Sequence, residues 1–383
     1  MPDGSVSLSG VDVRVDGVVP FQPESLLGTV VAGRYRLSGH LASGGMAAVY
    51  VAEDTRERRE VALKLLAPHL ALSPEAVRRF LCEGAIARMI DHENVVRVLD
   101  HGGEDGPCFI AMELLEGEGL FERLRREGAL APAEVVAILV QVCNGLEAAH
   151  RQGVVHRDLK PENVFLHGRR GAPPVVKILD FGVAGGAHGE GGDTGLVVGT
   201  PEYLSPEQAF GKAVDARSDV YSVGVMAWRM LVGRTPFSAD SADALIRMQA
   251  RDPVPSITAV RPDLGVPPDL VSVVARACAK DPSDRPPSAA ALALDLARAL
   301  GGPVSRPAAV HRPTFQAPRE GPPQPDASAP RASGTPAAPA DRRKRLRVLA
   351  VVALVLGLCV AGAALTLHTR PPPPAGAPQA PAP

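Results

Sequence analysis

The segment His156-Arg157-Asp158-Leu159-Lys160-Pro161-Glu162-Asn163 and, a little further on, Asp180-Phe181-Gly182 concentrate reactive side chains in one short part of the chain. Asp158 is a carboxylate that can orient a hydroxyl or take its proton. Asn163 and Asp180 offer the hard oxygen atoms that suit Mg²⁺, and Lys160 sets a mobile positive charge beside them. A base, two oxygen ligands and a cation are what phosphoryl transfer requires, because that reaction depends on positioning and on neutralising charge.

Further motifs flank this pair. Leu41-Ala42-Ser43-Gly44-Gly45-Met46-Ala47-Ala48-Val49 is a run of small residues between two strand-like segments, able to bring backbone N–H groups close to phosphates. Lys64 lies in the apolar run Val61-Ala62-Leu63-Lys64-Leu65-Leu66, where an unpaired ammonium would be costly. Gly199-Thr200-Pro201-Glu202-Tyr203 and Ser205-Pro206-Glu207 follow the Asp-Phe-Gly motif, and Asp219 and Arg285 come later. With these motifs in this order, the chain resembles the bacterial-type (eukaryotic-like) serine/threonine protein kinases over residues 34–300, about seven-tenths of its length. Any one motif alone is weak evidence, whereas the ordered set is specific. The wording Leu159-Lys160-Pro161-Glu162-Asn163 is that of the serine/threonine form.

The resemblance implies an α+β, bilobal protein-kinase-like fold with a β-rich N-lobe and a helical C-lobe, and ATP with Mg²⁺ as cofactors. It assigns Asp158 and Lys160 to catalysis, the first at the substrate hydroxyl and the second at the γ-phosphate, with Asn163 and Asp180 at the metal. Leu41, Ala42, Ser43, Gly44, Gly45, Met46, Ala47, Ala48 and Val49 would cover the nucleotide, and Lys64, paired with Glu83, would hold its phosphates. Ala42 and Ala47 stand where the family pattern has glycine. Met112-Glu113-Leu114-Leu115 resembles the hinge that receives adenine. Arg157 would pair with a phosphorylated activation segment whose site is Thr194, and Thr200 would belong to the substrate pocket. His156, Asp219 and the pair Glu207 and Arg285 are assigned to architecture.

The elements that must position these residues are partly readable. Tyr35-Arg36-Leu37, Ala48-Val49-Tyr50-Val51-Ala52 and 61–66 read as the first three strands of the N-lobe. Ser73-Pro74-Glu75 supplies a cap, a first-turn proline and an acid for a helix, with Val77, Phe80, Leu81 and Ala85 as its apolar face. Val136, Leu139, Val140, Cys143 and Leu146 mark a buried helix over 134–150, and further helices are expected over 220–231 and 289–300. Residues 1–33 read as a flexible extension; Val11-Asp12-Val13-Arg14-Val15-Asp16 alternates like a strand but has no evident partner.

The chain has 383 residues and a formal charge of -1, with dispersed Arg and Lys, so no nucleic-acid partner is expected. Its five cysteines are scattered and read as buried apolar groups in a reducing compartment. His40, His69, His92 and His101 lack ligand spacing. Residues 1–20 do not resemble a signal peptide. Residues 301–345 are rich in Pro and Ala and read as a disordered linker. The following segment, 346–368, contains twenty consecutive uncharged residues, 348–367, enough to cross a bilayer as a helix. Arg342-Arg343-Lys344-Arg345 and Arg347 precede it and only Arg370 follows closely, which orients the N-terminal side to the cytoplasm. Residues 369–383 would be a short extracytoplasmic tail, too short to bury a core.

The reading is therefore a cytoplasmic domain tethered to the cell membrane, a lipid bilayer crossed by one span. It would transfer the γ-phosphate of ATP to Ser/Thr hydroxyls of protein substrates, and a homodimer would allow autophosphorylation in trans. Ala42 and Ala47 leave an alternative, a membrane-anchored pseudokinase scaffold that binds nucleotide and partners without turnover.

Overall fold

The computed structural model describes residues 23–103, 106–168, 173–181 and 200–301. The N-terminal part of this region is a sheet of order β1-β2-β3-β4-β6-β5, made of β1 (Val30–Val31), β2 (Tyr35–Ser43), β3 (Ala47–Asp54), β4 (Arg59–Leu66), β5 (Val98–Gly102) and β6 (Phe109–Glu113). The strands pair antiparallel, with Val49 opposite Lys64 and Lys64 opposite Ile110. Alternation places Tyr35, Leu37, Tyr50, Val61, Leu63 and Phe109 in one apolar cluster. One helix, α1 (Pro74–Met89), covers another cluster containing Ala47, Leu66, Phe80, Ala87 and Ile110.

The start of α1 follows local rules: the Ser73 side chain accepts from the N–H of Ala76 (3.3 Å), with Pro74 in the first turn. That cap is worth about 1 kcal/mol. Burial of Phe80, 3% exposed, outweighs it, since truncating such a side chain costs about 3–5 kcal/mol. The buried face of α1 runs through Phe80, Gly84 and Ala87, with Val77 and Leu81 packed beside it, and Ala85 is exposed rather than part of it. At Gly84 a methyl would come within 3.0 Å of His101, so the helix sits too close to β5 for a larger residue to hold that position easily.

Within the expected flexible extension, residues 23–31 are instead part of the sheet layer. Val30 and Val31 pair with Arg36 and Tyr35, Leu26 packs on the strand cluster, and the Tyr50 hydroxyl donates to the carbonyl of Pro23 (3.1 Å). Residues 11–16 lie outside the described residues. So do Thr194, Cys359, the linker, the apolar segment 348–367 and the tail.

The second lobe begins with β7 (Gly117–Gly119) and two helices, α2 (Leu120–Glu127) and α3 (Pro132–His150). β8 (Val164–His167) and β9 (Val175–Ile178) complete a small sheet of order β7-β8-β9. The remaining helices are α4 (Pro206–Ala209), α5 (Ala216–Val232), α6 (Ala242–Arg251), α7 (Ile257–Val260), α8 (Pro268–Ala277) and α9 (Ala289–Ala299). α3 is the one helix among the described residues long and apolar enough to cross a membrane; its Val135, Leu139, Val142 and Leu146 are instead buried in the core with α5 and α9. α5 is enclosed on nearly all sides, with Trp228 at its centre. Cys108, Cys143 and Cys278 are buried, as expected, whereas Cys82 lies exposed on the outer side of α1.

A buried ion pair ties the front of this lobe to its base. Arg285 grips Glu207 with two hydrogen bonds (2.7 and 2.8 Å) and also donates to the carbonyls of Arg217 and Ala279. Burial alone would raise the Glu207 pKa, but Arg285 and Ser218 hold it below the usual carboxylate range. A depressed carboxylate contributes stability above its unfolded pKa and loses it as pH falls through the folded value. Removing one partner leaves a buried charge unpaired, so Arg285→Met should lower unfolding free energy by about 3–5 kcal/mol. Urea unfolding read by Trp228 fluorescence measures this, because Trp228 is the chain's only tryptophan.

Candidate active site

Residues 41–49 form the end of β2, a bend and the start of β3. The N–H of Gly44 donates to the carbonyl of Ala47 (2.8 Å) and closes the bend. A methyl on Gly45 would meet nothing within 4 Å, and one on Gly44 only the Ala47 carbonyl at 3.8 Å. The fold itself therefore does not demand these glycines; what they leave is bare backbone beside open space, the feature needed for close approach of an anion. Ala42 and Ser43 are exposed, as are Leu41 and Met46. The Ala47 methyl is spent in the cluster beneath α1, Ala48 lies in the other strand cluster, and Val49 is half-buried.

Beneath this loop, Lys64 on β4 donates to Glu83 of α1 (2.7 Å) and to Asp180 (2.8 Å). Three elements from both lobes meet in that contact. Desolvation opposes the Lys64 charge, yet the two carboxylates hold its pKa above the ordinary lysine value. Burial pushes Glu83 upward, with Asp180 adding to the effect and Lys64 opposing it. Burial would also raise Asp180, but Lys64 keeps it below the usual carboxylate value. Two carboxylates thus share one ammonium, and the one facing outward stays ionised.

Asp158 follows a sharp turn in which Arg157 has φ 66°, a left-handed conformation unusual for a side chain of that size. Asp219 of α5 holds the turn, accepting from the N–H groups of His156 (2.8 Å) and Arg157 (2.9 Å) and pairing with His150 Nε2 (2.7 Å). Burial would raise Asp219, yet His150 and these donors depress it. His156 is fully buried, bonded through Nε2 to the carbonyl of Leu179 (3.1 Å) and packed against the Phe181 ring in a tilted arrangement with centroids 5.0 Å apart. These contacts make it a packing residue.

The Asp158 carboxylate is fixed from both sides. Lys160 Nζ donates to Oδ2 (2.8 Å), and the N–H of Thr200 donates to Oδ1 (3.3 Å). Lys160 also donates to the Thr200 hydroxyl (2.6 Å), so these three residues form one cluster. Asn163 spends its amide N–H on the carbonyl of Asp158 (2.8 Å), leaving its Oδ1 as the atom it can offer to a cation. Asp180, at φ 47°, is likewise left-handed, and its side chain is 47% exposed.

Among the described residues there is no cluster of three or more His, Cys, Asp or Glu able to cage a metal. One carboxylate and one amide oxygen instead fit Mg²⁺ that takes its remaining ligands from phosphates and water. Asn163 and Asp180 would hold it, and bound there it would supply charge neutralisation at the phosphates.

Glu113, at the end of β6, has its side chain occupied by Lys177 (2.6 Å) and the N–H of Arg97 (2.9 Å), which assigns it to joining the lobes. Arg157 Nε is buried without a hydrogen-bond partner. Thr194, its expected partner when phosphorylated, lies outside the described residues. Sequence reading missed His150, Lys177 and Gln208, whose amide donates to the carbonyl of Arg157 (2.7 Å). Their partners lie far away in sequence and no local pattern marks them.

The two lobes, with a small-residue loop over a paired lysine and a fixed aspartate below, define the protein-kinase class, and the chain belongs to it: the protein kinase domain family model matches residues 35–296. Among curated proteins, the serine/threonine-protein kinase Pkn1 of Myxococcus xanthus is 42% identical over 287 residues, covering 74% of this chain and 41% of the relative. Serine/threonine-protein kinase PknB of Mycobacterium tuberculosis is 37% identical over 280 residues, covering 71% of this chain and 44% of the relative. The chain thus spans less than half the length of these two relatives. Among solved structures, the Mycobacterium tuberculosis PknI kinase domain superposes with a TM-score of 0.56 at 30% identity, covering 72% of this chain and 98% of that one.

If Asp180 is the carboxylate that takes the cation, Asp180→Asn should weaken Mg²⁺-dependent ATP binding by about tenfold or more, while Mg²⁺-free binding, with Lys64 no longer held by that carboxylate, should not weaken. Fluorescent-nucleotide titrations with and without Mg²⁺ measure both quantities.

Proposed function

We propose that this chain is a membrane-tethered serine/threonine protein kinase that transfers the γ-phosphate of ATP to protein hydroxyls. The observation that carries this reading is the setting of Asp158: Lys160 and Thr200 fix its two oxygens, yet its side chain remains 32% exposed. A serine or threonine hydroxyl presented there attacks the γ-phosphorus. Its oxygen forms the new P–O bond, the bond to the β-phosphate oxygen breaks, ADP leaves, and the hydroxyl proton passes to the Asp158 carboxylate. Lys160 neutralises charge on the moving phosphoryl group. Lys64, braced by Glu83, holds the phosphates of the nucleotide.

Relatives named as serine/threonine-protein kinases support the substrate class. Against the pseudokinase reading, which rests on Ala42 and Ala47, stand the formed Lys64–Glu83 pair and the burial of the Ala47 methyl in the N-lobe core; Ala42 stays exposed on the loop. The buried, unpartnered Nε of Arg157 supports a regulatory contact with phosphate on Thr194; phosphorylation there in trans within a homodimer is part of the same proposal. Twenty uncharged residues after a basic run support a single span with the kinase domain in the cytoplasm.

Incubation with Mg-ATP should label the chain, with Thr194 the principal site. Lys64→Met and Asp158→Asn should each lower incorporation by about 100-fold or more. Full labelling of Asp158→Asn would overturn the assignment of the base. In cells, a protease applied from outside should leave the kinase domain intact, and its digestion would reverse the topology.

A further inference from the structure

Beyond Thr200 the chain makes a single 3-10 turn, Pro201–Tyr203, which lies between the Asp158 cluster and the start of α4. Because Thr200 binds both Asp158 and Lys160, this turn is the stretch of chain that continues directly from the Asp158 cluster. The turn has few bonds of its own, chiefly the N–H of Tyr203 to the carbonyl of Thr200 (3.1 Å). It is fixed from below by side chains of two helices: Ser222 of α5 donates to the carbonyl of Tyr203 (2.9 Å), Arg229 of α5 donates to the Tyr203 hydroxyl, and Gln249 of α6 donates to the carbonyl of Glu202.

Gln249 is fully buried, and unlike Ser222, whose hydroxyl bonds only to backbone carbonyls, it is the end of a chain of side-chain hydrogen bonds. Its Oε1 accepts from the Tyr221 hydroxyl (2.6 Å), which in turn accepts from Lys280 Nζ (2.8 Å). Lys280 also donates to the backbone carbonyl of Gln249 (2.7 Å). The ammonium has only protons to give, so the Tyr221 hydroxyl must pass its own proton on to Oε1. The Gln249 amide then faces Glu202 with its N–H. Every bond in the series runs one way, from Lys280 to the Glu202 carbonyl, and the orientation of the amide is thereby fixed. Among the described residues Lys280 pairs with no carboxylate; it rests over the rings of Tyr221 (5.2 Å) and Phe237 (5.0 Å). A buried glutamine on α6 and a partly buried ammonium just beyond α8 are costly choices where packing alone would suffice.

We propose that Gln249 is a positioning residue for the protein substrate: by holding the Glu202 carbonyl it sets the turn on which the substrate backbone lies while its hydroxyl is at Asp158. The inference rests on the kinase reading above. Tyr221 and Lys280 act through Gln249 and determine which way its amide points.

The test compares the full chain with Gln249→Met, which keeps the length and burial of the side chain but gives no hydrogen bond, and with Tyr221→Phe, which leaves Gln249 in place without its orienting donor. With a serine-containing peptide and Mg-ATP, Gln249→Met should raise the peptide KM by about two- to tenfold, the effect of losing one hydrogen bond. The ATP KM should stay within twofold, by the same reasoning that the nucleotide touches neither group, and Tyr221→Phe should shift the peptide KM in the same direction by less. Hydrogen exchange of residues 200–209 should quicken in Gln249→Met. An unchanged peptide KM, or an ATP KM that rises in step with it, would overturn the proposal. If the wild-type chain phosphorylates no peptide, the kinase reading has failed on its own, and hydrogen exchange then decides the anchor: unaltered exchange in Gln249→Met refutes it.

Discussion

The carboxylate of Asp219 is the point from which the catalytic side of the molecule is built. It sits in the first turn of α5, a helix enclosed in the C-lobe core, and there it accepts from two successive backbone N–H groups and from His150. Those N–H groups belong to the turn that drives Arg157 into a left-handed conformation. Without a buried acceptor at that spot, two backbone donors would be orphaned in the core, at a cost of about 1–3 kcal/mol each, and the strained turn would have nothing to maintain it. Asp158, Lys160 and Asn163 all take their direction from the far side of this turn. The geometry of the Asp158 carboxylate is thus set in part by α5, which holds the turn just before it.

A second dependence runs between the lobes. The N–H of Val96 donates to the carbonyl of Ile178 (2.9 Å), the N–H of Ile178 donates to the carbonyl of Asn94 (2.9 Å), and the Asn94 side-chain amide donates to the carbonyl of Val176 (3.0 Å). Lys177, in the same strand, reaches back to Glu113. β9 is consequently a rigid lead-in to Asp180, and its attachment to the segment before β5 places Asp180 at a fixed distance from β4. Backbone pairing thus brings Asp180 toward Lys64, while Glu83 comes from α1, which is packed on the sheet through Phe80 and Ala87.

The parts of this structure legible in the sequence are those governed by local rules. The three strands from Tyr35 to Leu66 announce themselves by apolar alternation, and Ser73-Pro74 marks the start of α1 to the residue. The candidate site residues were readable because their types and spacing form a pattern known from the resemblance, and the structure places Asp158, Lys160 and Thr200 in one cluster and Lys64, Glu83 and Asp180 in another. Residues 23–31 were misread because a two-residue strand has no period, and Pro23 is secured only by a tyrosine hydroxyl from β3. Ala85 was assigned to the buried face of α1 by spacing alone, whereas the face turns toward Gly84 and Ala87 because close contact with His101 favours the smallest residue. Gln249, His150 and Lys177 gave no signal at all; each matters through a partner that only the tertiary fold brings near.

Lys64 cannot serve Glu83, Asp180 and a phosphate equally well. Its ammonium is neutralised on two sides by Glu83 and Asp180, so the site carries an internal cation. A divalent ion drawn to Asp180 would compete for that carboxylate and release one hydrogen bond of Lys64, which then becomes available to phosphate. Any ligand that favours the released state raises the affinity of the other by the same factor, because the linkage is reciprocal. Cation and nucleotide should therefore load cooperatively, each lowering the barrier set by the internal ion pair, and occupancy should fall off more steeply than either single affinity implies when divalent ions are scarce.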